Sequence, residues 1–399
     1  MRKLNKTAAC GILAAALAAG TLSGCSKAID GTKTVATVGD EKVTLGLASY
    51  MTRDQQAQTM SYYNMLMSQY GVSGSASNVW DQKGDDGKTV GESSKDGVMT
   101  TINQLYVLKA HAADYDVTIT DDEEKAIKEA AAEFIKDNDE KILKKLAVSE
   151  DDIVTYLELV TIRSKMHDPM TADVDTEVSA NEKDQTRVTI VKVSTEGTEK
   201  DDDGNTIDLT DEEKAQKKDL AQQVLDKVKA SDDVANADMD ALAKEVDDSL
   251  SATAPAFTTA GSTDDTLDEA VQDAALELKD GEVADSVIEG DDGYYVVRLD
   301  KMLDEDATEN KEKTVISERK SDLYDSTLED WVKEEKIKVK DKVWDQITVT
   351  DSVSFVYKSA DSSDDTESSD AQDGTEDTSS QDNSEDTTTE DTAAEDSAE

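Results

Sequence analysis

The sequence predicts an α+β protein, mainly helical, and three observations carry that reading. Short apolar segments stand far apart, alternating at Val35–Val43, strand-like at Arg187–Val193 and continuous at Tyr294–Leu299, separated by long stretches with apolar residues at helical spacing. Thr120-Asp121-Asp122-Glu123 and Thr210-Asp211-Glu212-Glu213 have the spacing of a capping box, a helix-start signal. The strand patterns are too few for two lobes of repeated parallel strands. Small sheets among many helices remain.

The chain opens with Arg2, Lys3 and Lys6 before an apolar run, Ala8 to Ala19, too short to span a bilayer comfortably. That pattern is an export signal over residues 1–24. Leu22-Ser23-Gly24-Cys25 resembles a bacterial lipobox, which implies that Cys25 is lipidated, begins the mature chain and anchors it to the outer face of a membrane. The alternative is a plain secretory signal. Residues 25–34 are then a linker, and because the other cysteine, Cys10, lies in the leader, the mature monomer has no disulfide or cysteine-rich metal site.

Removing residues 1–24 takes away three positive charges and no acids, which moves the formal charge from −50 to −53 over the remaining 375 residues. Such an acidic chain excludes nucleic acid as a partner. Ser359 to Glu399 alone holds 16 acidic residues and no Lys or Arg. It buries too little to offset ordering entropy, so residues 358–399 read as a disordered tail.

From Thr34 the segment TVATVGDEKVT alternates around Gly39-Asp40 and leads into a helix through Tyr70, stopped at Gly71. Met51, Met60, Met65 and Met67 lie in that helix. Flexible thioethers suit a surface accepting many unfolded chains, although core packing is the plainer role. Gly71 to Gly97 reads as a mobile insertion around Trp80. Helices follow from about Val98 to Asp114, behind Thr120, and behind Ser149, the last stopped at His167-Asp168-Pro169. His111 and His167 are read as packing or surface residues rather than as a catalytic or metal pair. Met170 to Asp184 is an extended connector.

From Gln185 the pattern becomes a strand, Arg187 to Val193. Asp201-Asp202-Asp203-Gly204-Asn205 has the look of a calcium loop, but Thr210 stands at the last coordinating position, and a hairpin turn is the default. The helix after Thr210 carries Leu220, Val224, Leu225 and Val228 on one stripe. Ser251 to Asp265 is a loop containing Pro255, Phe257 and Gly261. A helix from Leu267 to Leu278, a Gly281 turn and the strand Tyr294 to Leu299 close this region. An acidic linker, Asp304 to Asn310, then precedes a helix from Lys311 to Glu335 and an edge strand at Lys336–Lys340 with its lysines outward.

Three pieces of the last region, Ala274-Ala275-Leu276-Glu277-Leu278, Gly281-Glu282-Val283 and Gly293-Tyr294-Tyr295, resemble the C-terminal half of a parvulin-type (PpiC-type) peptidyl-prolyl isomerase domain. Arg187-Val188-Thr189-Ile190 resembles its first strand, and Met239 to Glu245 its Phe-x-x-Leu-Ala segment. The opening at Thr34 resembles that of SurA-type and PrsA-type foldase lipoproteins. This resemblance implies a SurA-N-like chaperone domain over 35–170, completed by a C-terminal helix and strand over 311–357, with a parvulin-like domain inserted at 185–302. It also places Thr189, Leu267, Val271 and Tyr295 at four family active-site positions. None keeps the usual residue, and histidine is missing from both Thr189 and Tyr295.

Prolyl isomerisation needs no nucleophile and no cofactor. It needs an apolar groove that holds a twisted X-Pro amide and lowers a barrier of about 18–20 kcal/mol. With these replacements the resemblance implies an extracytoplasmic foldase for newly exported, unfolded polypeptides with weak or absent catalysis. Phe257, Tyr294, Met51, Met60 and Met65 are its peptide-binding candidates. A solute-binding lipoprotein of a transporter shares the anchor and acidic surface and is the alternative.

Overall fold

The computed structural model describes residues 17–19, 29–70, 78–198, 200, 206–260 and 267–358. Cys25, Gly71, the Asp201–Asn205 loop, Gly261 and the tail from Ser359 lie outside the described residues. A short strand, β1 (Leu17–Ala19), precedes the hairpin of β2 (Thr34–Val38) and β3 (Glu41–Thr44), whose turn uses Gly39 at φ +56°. Thr44 ends β3 and caps α1 (Leu45–Gln69) by accepting from the Leu47 amide at 3.1 Å. Four helices follow: α2 (Val90–His111), α3 (Asp121–Asp137), α4 (Glu140–Leu146) and α5 (Glu150–Met170). Leu47, Leu105, Phe134, Leu146, Ile153 and Leu159 from these helices meet in one core.

Two segments here depart from the spacing-based expectation. Helix α2 starts at Val90 rather than near Val98, because Thr89 and Glu92 form a capping box: the Glu92 amide donates to Thr89 Oγ1 at 3.1 Å and the Thr89 amide to Glu92 Oε2 at 2.8 Å. Trp80, expected in a mobile insertion, is buried with Met60 and Val349. Helix α5 continues through Pro169 instead of stopping at His167. A proline in the last turn costs one ladder donor, and Thr171 closes the end with its amide (3.2 Å) and hydroxyl (2.9 Å) on the His167 carbonyl.

The connector after α5 is not extended to its end; it contains α6 (Ala180–Lys183). Then come β4 (Gln185–Ser194), α7 (Asp211–Lys229), α8 (Met239–Lys244), β5 (Ala252–Thr253), β6 (Ala256–Thr258), α9 (Glu269–Leu276), β7 (Ile288–Glu289) and β8 (Gly293–Lys301). They make an antiparallel sheet ordered β5-β4-β8-β7, with β6 also on β4. The long β4–β8 pair fixes the register, from Val188 opposite Leu299 to Ser194 opposite Gly293. Alternation sends Val191, Val193, Tyr294 and Val296 into a core with α7 and α8. Val188, Ile190, Tyr295 and Val297 pack in a second core with α9.

The segment expected as an acidic linker is the start of α10 (Glu305–Glu334). Asp304 caps it by accepting from the Ala307 amide at 3.0 Å, and Glu305 and Asp306 suit the positive end of the helix. Strand β9 (Ile337–Val339) returns to the first hairpin, placing Val339 opposite Ala36 in a sheet ordered β3-β2-β9. The chain then forms α11 (Asp341–Trp344) and β10 (Phe355–Tyr357), and β10 pairs antiparallel with β1. The α+β class read from the sequence holds, with two small sheets and a strand pair among eleven α-helices of the described residues. No helix among the described residues is long and apolar enough to cross a membrane.

Candidate functional site

The β4–β8 register decides which of the four singled-out positions meet. Opposed residues in an antiparallel pair share a face, and the face alternates with each step. Tyr295 stands opposite Lys192, and Thr189 opposite Arg298. Tyr295 therefore joins Leu267 and Val271 on the α9 side, whereas Thr189 lies on the α7–α8 side.

On the α9 side, Leu267, Val271, Phe257 and Tyr295 are all buried in one apolar cluster. Asp268 caps α9 through the Ala270 amide at 2.9 Å and also accepts the Asp291 amide at 2.7 Å, tying the helix start to the turn before β8. In that turn Asp292 accepts from the Tyr295 hydroxyl and pairs with Lys192. Both contacts favour the ionised carboxylate, Lys192 more strongly, and hold Asp292 below the usual carboxylate range. Burial, reinforced by Asp292, pushes the Tyr295 hydroxyl upward. Tyr295 is thus a neutral donor held by a charged acceptor.

Thr189 belongs to a separate closed network. Its hydroxyl donates to Asp300 Oδ2 at 2.6 Å, and Arg298 donates to Asp300 Oδ1 at 2.7 Å and to Thr189 Oγ1 at 3.2 Å. Arg298 also donates to the carbonyls of Ala237 (2.8 Å) and Val234 (3.2 Å). This network pins the loop between α7 and α8 to the sheet. Sequence reasoning missed it, although Arg298 and Asp300, two apart on a strand, were a readable sign of one polar face.

The peptide-binding candidates divide by burial. Phe257 is fully buried, and Tyr294 is buried beside α7, where Lys218 Nζ lies 5.3 Å from its ring centroid. Met51 and Met60 are also buried, so these four present no surface to a peptide. Helix α1 is packed in its first half and open in its second. Met65 is 61% exposed, and Tyr62 (59%) and Tyr70 (73%) accompany it. Tyr62 and Met65, three apart on α1, share one face and make an exposed apolar patch.

The two histidines are not brought together as a catalytic pair. His111 stacks on Trp331 at 4.1 Å between ring centroids and meets Asp114 at 3.1 Å. His167 packs near Tyr324 at 5.4 Å. Among the described residues no group of three or more His, Cys, Asp or Glu is placed to hold a metal.

Residues 200–313 match the family model of the PPIC-type PPIASE domain. No match was found among curated proteins. The structure is similar to that of foldase protein PrsA from Lactococcus lactis, at 14% identity and a TM-score of 0.31, covering 78% of this chain and 96% of that one. It is similar to peptidylprolyl isomerase PrsA from Bacillus cereus at 20% identity and a TM-score of 0.29, covering 67% and 96%. A structure from work on the SurA-like chaperones PEB4 and Cj1289 of Campylobacter jejuni overlaps at 11% identity and a TM-score of 0.25, covering 77% and 98%. The parvulin-like domain itself rests on the family match.

Proposed function

We propose, from the PPIC-type domain that this chain carries, that the protein is a lipid-anchored extracytoplasmic foldase of the PrsA/SurA kind. It holds newly exported, unfolded polypeptides and contributes little prolyl isomerisation. What supports the second half is the filling of the α9 side: Leu267, Val271 and Tyr295, which the resemblance sets at three family active-site positions, are buried in one apolar cluster, and Thr189, set at the fourth, faces the other way. A groove for a proline ring needs apolar area open to the ligand. Holding needs only exposed apolar surface, which Tyr62, Met65 and Tyr70 supply on α1.

The anchoring follows from Cys25 and the leader before it. A lipid at Cys25 attaches the protein outside the membrane, and stable attachment needs more than one acyl chain, each methylene contributing about 0.8 kcal/mol. Cys25→Ser should abolish incorporation of labelled fatty acid and leave the longer, leader-bearing precursor, and an unchanged fatty-acid label would remove the anchor. Two assays on the soluble chain starting at position 25 with Cys25→Ser test the rest: light scattering of an aggregating, proline-poor client, and NMR exchange on a proline peptide. Delayed aggregation with slow exchange is the expected result. Turnover at the level of an ordinary parvulin would contradict the silent site, and failure to delay aggregation would remove the foldase reading.

A further inference from the structure

Strand β10 carries a partner drawn from the leader. Leu17, Ala18 and Ala19 pair antiparallel with Tyr357, Val356 and Phe355, in a sheet of these two strands alone. The Leu17 side chain is 3% exposed and joins the main core of the helical part. The Leu17 amide donates to Asn138 Oδ1 at 3.0 Å, across 121 positions of sequence.

The seat is built by residues that remain when the leader is removed. Asn138, itself 7% exposed, is fixed by its own Nδ2, which donates to the Phe134 carbonyl at 2.8 Å. Phe355 is buried under Arg53, whose guanidinium carbon lies 5.1 Å from the ring centroid. The Tyr357 hydroxyl donates to Asp54 at 3.2 Å, Gln56 donates to the Val353 carbonyl at 2.6 Å, and Arg53 donates to the Thr348 carbonyl at 2.9 Å. All five contacts hold Asn138, β10 and the segment leading into it without β1. Cleavage before Cys25 would take β1 away and leave β10 without a strand partner, an extended backbone edge with one side-chain seat and one fixed acceptor.

We infer that this edge is a strand-addition site for an extended, uncharged apolar segment of an exported client, with the leader's Leu17–Ala19 occupying it in the precursor. The inference rests on the foldase reading and names how a client is gripped. Ladder hydrogen bonds read backbone, which every unfolded chain offers. The Leu17 seat selects an aliphatic side chain, and burying it excludes charge. Asn138 reads the amide of that same residue. Backbone-led capture of this kind suits a holder of many sequences, and an extended segment with unpaired backbone groups is ready to accept another chain.

The test uses a fluorescent peptide of residues 11–20, a copy N-methylated at the amide of the residue corresponding to Leu17, and a copy with that residue replaced by aspartate. Each is titrated by anisotropy into the mature chain starting at position 25 with Cys25→Ser, and into the full precursor kept unprocessed by Cys25→Ala. The mature chain should bind the plain peptide. N-methylation should weaken binding about tenfold, the usual worth of one buried hydrogen bond, and aspartate should weaken it further. The precursor should bind at least tenfold more weakly than the mature chain, because its own leader competes. Absence of binding to the mature chain, or affinities unchanged by N-methylation and by the retained leader, would overturn the site. Client aggregation is followed by light scattering in the same samples: delay without peptide binding removes the site and keeps the foldase reading, whereas no delay removes that reading.

Discussion

Tyr295 and Thr189 are three steps apart when their registers are compared across β4 and β8, and an odd number of steps on a strand reverses the face. Histidine placed at both positions therefore cannot pair two imidazoles. Tyr295→His should be tolerated beside Asp292. Adding Thr189→His should break the Arg298–Asp300 network and cost about 1–3 kcal/mol of stability without raising turnover, as urea unfolding and proline-peptide exchange will show. A double variant faster than the single one would contradict the register. Glu182 gives a second prediction. Hydrogen bonds from Ser179, first through its hydroxyl and then its amide, and from Arg319 at 2.6 Å hold its carboxyl down to about 2. A depressed folded value contributes stability that is present above the ordinary glutamate value of 4.5 and is lost as pH falls toward about 2. The difference in urea midpoint between wild type and Glu182→Gln should therefore be largest near pH 7 and shrink at pH 3. A gap independent of pH would mean that Glu182 acts by shape alone.

At the scale of elements, caps decide where helices begin. Thr120 Oγ1 accepts from the Glu123 amide at 3.3 Å, Glu123 Oε2 accepts the Thr120 amide at 2.8 Å, and Glu123 also binds Lys165 of α5 at 2.7 Å. The cap thus sets the start of α3 and ties it to α5. Thr120→Ala should cost about 1 kcal/mol, measured as a shift in urea midpoint at unchanged m-value. A negligible shift would show that packing of Ile127, Ala131 and Phe134 fixes α3 unaided. Thr120 and Thr210 were legible as caps because the motif is local. Thr89-x-x-Glu92 has the same spacing and was passed over because the surrounding Gly, Ser and Asp residues outweighed it. The early start of α10 was hidden in a similar way: acidic residues 304–310 resemble a linker by composition, yet acids in a first turn favour a helix.

Across the whole molecule, charge is unevenly divided. The segment from Ser359 has 16 acids and no base, and the formal charge of the chain is −50. Truncation after Lys358 should leave the melting temperature nearly unchanged at moderate salt, because a polar acidic segment contributes little burial. A fall of several degrees in a calorimetric scan would show that the tail docks. The return of β9 to β2 is the long-range feature that closes the helical part, since Val339 opposes Ala36 and the Lys340 amide donates to the Val35 carbonyl at 2.8 Å. Its strand character was readable from the alternation of Lys336 to Lys340; its partner was readable only through family resemblance.

The sequence by itself determined what depends on neighbours a few residues apart: the α+β class, the helix caps at Thr120, Ser149 and Thr210, the Gly39 turn and the apolar strands Arg187–Val193 and Tyr294–Leu299. Only the tertiary structure decided what depends on register and burial. It separated Thr189 from Tyr295, buried Phe257, Tyr294, Met51 and Met60 while leaving Met65 exposed, and set Asn138 against β1. The reason is that a side chain's face follows from its strand's pairing and its exposure from elements far along the chain, and a one-residue change of register reverses both without altering any local pattern.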